Sequence, residues 1–154
     1  MRRGFFICLV AAVFVAADPA SAKIEIQRGM AGLELRMTKA QVRAKLGPPK
    51  KVRTGKNDFG PFTEFRYPRV IVLFQNSPRA TAFRTFSRLE RTARGVGVGS
   101  TETDVKAKVP HVTCRTESQF RHCFVGKFLP GHVVTDFQIR RGKVTSVVVG
   151  YVVD

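Results

Sequence analysis

The stretch MTKAQVRAKL, Met37 to Leu46, decides how this sequence is organised, because a second stretch answers it. Laid over STETDVKAKV, Ser100 to Val109, Thr38 falls on Thr101, Val42 on Val105, Ala44 on Ala107 and Lys45 on Lys108. The same offset, without a gap, places Phe74-Gln75 on Phe137-Gln138. Self-similarity at a fixed offset marks a repeat. The expectation is a tandem duplication, with a first copy over residues 23–87 and a second over 88–154, packed as one compact unit.

Each copy carries the same local logic. Thr38 followed by Gln41 forms a capping box, in which the hydroxyl accepts the backbone N–H of residue 41 and the amide side chain reaches back. Thr101 with Asp104 repeats the device with a shorter acid. Each Thr therefore opens a helix of two or three turns, with Val42 and Leu46 on one face of the first and Val105 and Val109 on one face of the second. Gly47-Pro48-Pro49 ends the first helix and Pro110 the second. Helices this short need something to pack on.

Beyond each helix the chain is rich in Val, Ile, Phe, Tyr and Thr. KKVRT, FTEFRY, VIVLFQ and ATAFRTF read as strands in the first copy. HVTCRT, QFRHCFVGKF, HVVTDFQI and KVTSVVVGYV read as strands in the second, with Arg141-Gly142 as a hairpin turn. The expected fold class is α+β, each copy a short capped helical segment plus a four-stranded antiparallel sheet. Helices cover one face of the sheet and the other is open.

MTKAQV and STETDV resemble the G-M-T-x-x-Q-V helix-opening motif. That motif recurs in tandem in the secreted β-lactamase-inhibitory-protein family and singly in the small outer-membrane assembly lipoproteins. Arg36 stands where the family has glycine in the first copy, and Gly99 keeps it in the second. The resemblance implies two helix-plus-sheet units, a concave sheet surface that grips another protein, and a non-catalytic role. It aligns Cys114 and Cys123 with a hairpin disulfide.

The N-terminus sets the compartment. Met1-Arg2-Arg3 precedes an uncharged apolar run, Phe5 to Ala17, and then Asp18-Pro19 and the small-residue site Ala20-Ser21-Ala22. Those parts in that order form a secretory signal peptide over 1–22, cleaved after Ala22, and the expected location is the cell envelope or the extracellular space. The apolar run is too short to cross a bilayer as a helix. Cys8 leaves with the leader, and CRTESQFRHC between the two remaining cysteines reads as two strands turning near Ser118-Gln119. Symmetric pairing sets Cys114 opposite Cys123, and facing cysteines in an oxidising compartment are joined. A zinc site using His111, Cys114, His122 and Cys123 is the rival. Adjacent strand residues point to opposite faces, so His122 and Cys123 do not share one metal. No metal or other cofactor is expected.

GVGVGST, Gly95 to Thr101, has the look of a phosphate-cradling loop. It lacks the Gly-Lys-Ser/Thr and the strand–loop–long-helix context that nucleotide sites need, and its aligned partner GLELRM keeps only the first glycine and the apolar alternation. No nucleotide is expected. No Gly-x-Ser-x-Gly elbow is present, and no carboxylate pair sits in an apolar context. Asp136, an acid within a strand, reads as outward-facing or paired with an arginine.

Charge is the outlier in composition: 27 Lys and Arg against 11 Asp and Glu. Removing Arg2, Arg3 and Asp18 leaves 25 against 10. Such a balance attracts anionic surfaces, polymers or acidic proteins, or simply keeps the surface solvated. Candidate anion-binding residues are Lys50, Lys51 and Arg53, the inter-copy Arg84, Arg88 and Arg91 at helical spacing, and Arg140, Arg141 and Lys143. The expected function is a secreted, non-catalytic binding module whose partner is an unknown protein gripped by the open sheet face. The alternative is an envelope protein bound by charge to anionic polymers or a membrane surface.

Overall fold

The computed structural model describes residues 23–153; the leader read over residues 1–22, with its cleavage site, lies outside the described residues. Within them the chain opens with three two-residue strands, β1 (Ile24–Glu25), β2 (Gly29–Met30) and β3 (Leu33–Glu34). Ile24, Met30 and Leu33 meet across this meander and are all buried. Helix α1 (Lys39–Leu46) leads into β4 (Lys51–Asn57), β5 (Gly60–Arg66), β6 (Ile71–Gln75) and β7 (Ala82–Thr85). Helix α2 (Glu102–Lys108) leads into β8 (Thr113–Glu117), β9 (Phe120–Val125), β10 (Val133–Arg140) and β11 (Lys143–Tyr151). No described helix is long and apolar enough to cross a membrane.

Both helices start at their capping boxes. Gln41 N–H donates to Thr38 Oγ1 at 3.2 Å, and Thr38 N–H donates to Gln41 Oε1 at 2.8 Å. The second box repeats this through Asp104, with N–H to Thr101 Oγ1 at 3.1 Å and Thr101 N–H to Oδ2 at 3.3 Å. Each helix sends valine into the core: Val42 and Val105 are fully buried, whereas Leu46 is half-buried at its edge. Alternation does the same for the strands. Along β10, Thr135, Phe137 and Ile139 are buried while Gln138 and Arg140 face solvent, as period-two side chains on a half-covered sheet must.

The expected fold class is corrected by the sheet. The described residues are mostly β, 48% strand against 11% helix, and do not form a helix plus a four-stranded sheet in each copy. Its eight long strands make one antiparallel sheet in the order β4-β5-β6-β7-β11-β10-β9-β8, beside the three-stranded sheet β1-β2-β3, for which the sequence pattern gives no expectation. The join is β7 on β11, with Phe83 opposite Val149 and Thr85 opposite Val147. The physical reason is the edge. A sheet ending at β7 would leave a row of N–H and C=O groups unpaired beside Phe83, and β11 would do the same beside Val147 and Val149. Pairing the two strands satisfies both rows and closes one core over Phe83, Val147 and Val149, all 0% exposed.

The helical spacing of Arg84, Arg88 and Arg91 is not matched by a helix: Arg84 lies in β7, Arg88 in a turn and Arg91 in an isolated bridge to Lys23 and Gly97. Phe86 and Leu89, the large apolar residues that a helix here would turn inward, stay exposed, so no burial drives a helix there. The segment is instead pinned by Glu90, fully buried and 2.9 Å from Arg69 in an ion pair. Burial raises the Glu90 carboxyl above its ordinary range, against the pull of the Arg69 guanidinium. No sequence pattern marks this acid as buried.

Candidate functional site

Strand register fixes which side chains share a face. Phe65, Val72, Phe83 and Val149 form one cross-strand row, buried under the helices. The adjacent row, Arg66–Ile71–Arg84–Val148–Asp136–Phe124, crosses six strands. Neighbouring residues on a strand point to opposite sides, so this row faces away from both helices. That face is open.

Two depressions lie on it, one on each side of Phe86, which lines both and is 59% exposed. The first, about 440 Å³, is floored by Ile71, Leu73 and Val148 and edged by Arg66 and Arg84. The second, about 530 Å³, is the more polar of the two: His122, Asp136, Gln138, Arg140 and Thr145 line it together with Ile139 and Phe86, with Phe120 at the rim. Phe120 is 76% exposed. A third cavity of about 400 Å³ is walled by the segment from Lys23 to Arg28 and by the end of α2, away from the open face.

Within the polar depression a histidine and an acid are joined. His122 Nδ1 is 2.9 Å from Asp136 Oδ1, with only 9% and 14% of the two side chains exposed. Burial pushes the Asp136 carboxyl up; His122 and, more weakly, Arg84 pull it down, while Glu117 pushes it further up. The other ring nitrogen, Nε2, is buried without a hydrogen bond and lies 3.6 Å from Glu117 Oε2. Phe124 and Phe128 pack on the imidazole, at 5.1 and 5.5 Å between ring centroids, and the Arg115 guanidinium lies 4.7 Å from the Phe124 ring. Sequence reasoning gives Asp136 a solvent or arginine role and treats His122 only as a poor zinc ligand. The usable signal is the pattern QFRHCF facing TDFQI: alternation puts His122 and Asp136 on the side opposite Cys123 and Phe137. Only the β9–β10 register, Cys123 on Phe137, makes them diagonal neighbours.

The other expected site residues are spread over the fold. Cys114 and Cys123 are directly opposite in the β8–β9 ladder and disulfide-bonded, with Cα atoms 4.0 Å apart. Glu102 approaches both sulfurs within 4.8 Å, but sulfurs bonded to each other supply no thiolate for a metal. The basic residues do not gather into one patch. Lys51 and Arg53 lie on β4, the outermost strand, with Lys50 just before it; Arg53 is 3.7 Å from Glu64. Arg84 is on the open face near the middle of the sheet. Arg91 is taken up by backbone and Ser100 acceptors. Arg140, Arg141 and Lys143 surround the β10–β11 turn, where Arg141 and Gly142 both have positive φ, 51° and 72°. That is the two-residue turn whose twist suits a hairpin.

No known family model matches the chain, and no curated protein matches it. A solved structure of a DUF4309 family protein from Bacillus subtilis is similar with a TM-score of 0.49 and 17% sequence identity, over 84% of this chain and 88% of that one. A likeness of that size carries no conclusion about this chain's chemistry.

Proposed function

We propose that this protein is an exported, non-catalytic binding module that grips a partner protein with the open face of its eight-stranded sheet. The observation that carries the reading is Phe86, just past the end of β7 and more than half exposed beside an apolar-floored depression. A large exposed aromatic next to a pocket and flanked by arginines has the composition of an interface hot spot. Eight strands at ~4.8 Å spacing span roughly 34 Å, room for the ~800 Å² per partner of a standard interface. The resemblance of MTKAQV and STETDV to the inhibitory-protein motif supports the same reading.

The experiment is capture from envelope and culture fluid on the oxidised chain 23–154, run in parallel with a Phe86→Asp variant. A discrete protein held by the wild type at high salt and lost by the variant supports the reading. Equal retention by both sinks it.

A second reading has one observation in its favour. Lys50, Lys51, Arg140, Arg141 and Lys143 make no ion pair among the described residues, and the chain is strongly basic. Anionic envelope polymers or membrane surfaces fit that charge. Such binding falls steeply with salt and is indifferent to Phe86.

A further inference from the structure

The two depressions beside Phe86 differ in chemistry, and the polar one has its own ligand class. We infer that the depression between Phe86 and Phe120, floored by Asp136 and Gln138, is a saccharide-binding site for a pyranose unit of a glycan. This goes beyond the protein contact proposed above, which uses the apolar depression on the other side.

Three observations carry it. The first is shape: about 530 Å³, within the ~300–1,000 Å³ of small-ligand sites. The second is the mixture of polar groups. Asp136 holds His122 through Oδ1, while its Oδ2 makes no hydrogen bond among the described residues. Gln138 Oε1 accepts from Ser146 at 2.7 Å, which fixes the amide and leaves its NH₂ free to donate. Arg140 adds a guanidinium to the same lining. Acceptor and donors side by side on one floor fit a ligand whose every hydroxyl both donates and accepts. A hydrocarbon tail would leave them unsatisfied, at a cost in affinity.

The third observation is the rim. Phe120 and Phe86 are 76% and 59% exposed and both border the depression. The electron-rich face of an aromatic ring suits the polarised C–H bonds on one side of a pyranose, whose other side keeps its hydroxyls for the floor. Buried His122 does not touch the sugar in this arrangement. It is a positioning residue: its bond to Oδ1 and its tilted contacts with the mutually packed Phe124 and Phe128 hold the Asp136 carboxylate in place.

The test is titration of the isotope-labelled oxidised chain 23–154 with glucose, N-acetylglucosamine and glucuronic acid, read by amide NMR shifts. Phe120→Ala and Gln138→Ala are measured beside it. Both side chains are exposed, so the variants fold, and a thermal melt confirms this. The expected result is saturable shifts at residues 119–122, 136–140 and 145 with at least one neutral sugar, weakened about tenfold in Phe120→Ala, as for loss of one stacking contact. Three outcomes overturn the inference: no saturable shift there with any of the sugars; unchanged affinity in both variants; or binding of glucuronic acid alone, lost with salt and with Arg140→Gln, which leaves an anion site. Equivalent shifts from glutamine amide as a probe also overturn it, reassigning the floor to a protein side chain. Phe120→Ala, which touches the polar depression and not the apolar one, is run beside Phe86→Asp in the capture experiment. A protein kept by Phe120→Ala and lost by Phe86→Asp supports the protein contact whatever the sugars do, so either reading can fail without the other.

Discussion

His122 on β9 and Asp136 on β10 are diagonal neighbours across the open face, joined Nδ1 to Oδ1 at 2.9 Å with most of both side chains out of solvent. A partly buried acid needs its partner, because removing one side leaves the other desolvated and alone. His122→Ala is expected to cost about 2 kcal/mol. Asp136→Asn, which keeps an acceptor on the imidazole and removes a carboxyl that burial already disfavours, is expected to cost less than half of that. Urea denaturation at neutral pH checks both, and equal losses would show that the pair contributes nothing beyond its packing.

The Glu102–Arg121 clamp sets an acid limb of stability. Arg121 Nε donates to Glu102 Oε2 at 3.1 Å, fastening the start of α2 to β9. The hydrogen bonds from Arg121 first and Lys106 second hold the Glu102 carboxyl at about 2, below its ordinary 4.5. A depressed acid contributes its stability above the unfolded value and loses it as pH falls toward the folded one. The wild type should therefore lose stability between about 4.5 and about 2. Glu102→Gln should flatten that limb by lowering the neutral-pH melting temperature toward the wild type's acid value. A melt series from pH 7 to pH 2 reads the difference.

The disulfide closes a short hairpin, Cys114 to Cys123, nine residues apart. Reduction, or Cys114→Ser with Cys123→Ser, is expected to remove ~2–3 kcal/mol by releasing the unfolded chain from that loop. Cys123 is fully buried, so serine there adds a desolvated hydroxyl, and the reduced wild type is the cleaner comparison. Melting temperatures with and without reductant decide it.

Arg36 occupies a left-handed turn, φ 71°, just before the first capping box, and Gly99 holds the aligned position before the second at φ 91°. Glycine adopts that region freely, whereas a side chain there costs of order 1 kcal/mol. The backbone is held regardless: Arg36 N–H donates to the Ala80 carbonyl at 2.9 Å, and Arg79 donates to the Arg36 carbonyl at 3.1 Å. Arg36→Gly is expected to raise stability by up to about 1 kcal/mol. A lower urea midpoint would mean that the arginine side chain stabilises this turn in a way its backbone geometry does not reveal.

What could be read from the chain was local. The capping boxes at Thr38 and Thr101 need three residues of sequence, and the hydroxyl, acid and amide in them act on their own backbone. Val, Phe and Thr alternating along HVVTDFQI state a half-buried strand before any partner is known. Cys114 and Cys123 flank a turn short enough that their pairing follows from counting. In the sequence the positive φ at Arg36 shows only as a departure from a motif, an arginine where the second copy keeps Gly99.

The long-range choices were not in the sequence. Nothing in ATAFRTF says that β7 pairs with β11, more than 60 residues away, and not with solvent; the unpaired edges and the valines waiting on β11 decide that. The same holds for the open face. Alternation put His122 and Asp136 on one side, but only the sheet register set them in contact, and only the β7–β11 join brought Phe86 over the strands that carry them. Local hydrogen bonding and side-chain period were written residue by residue; edge satisfaction and cross-strand neighbours belong to the assembled sheet, and the candidate site is made of those.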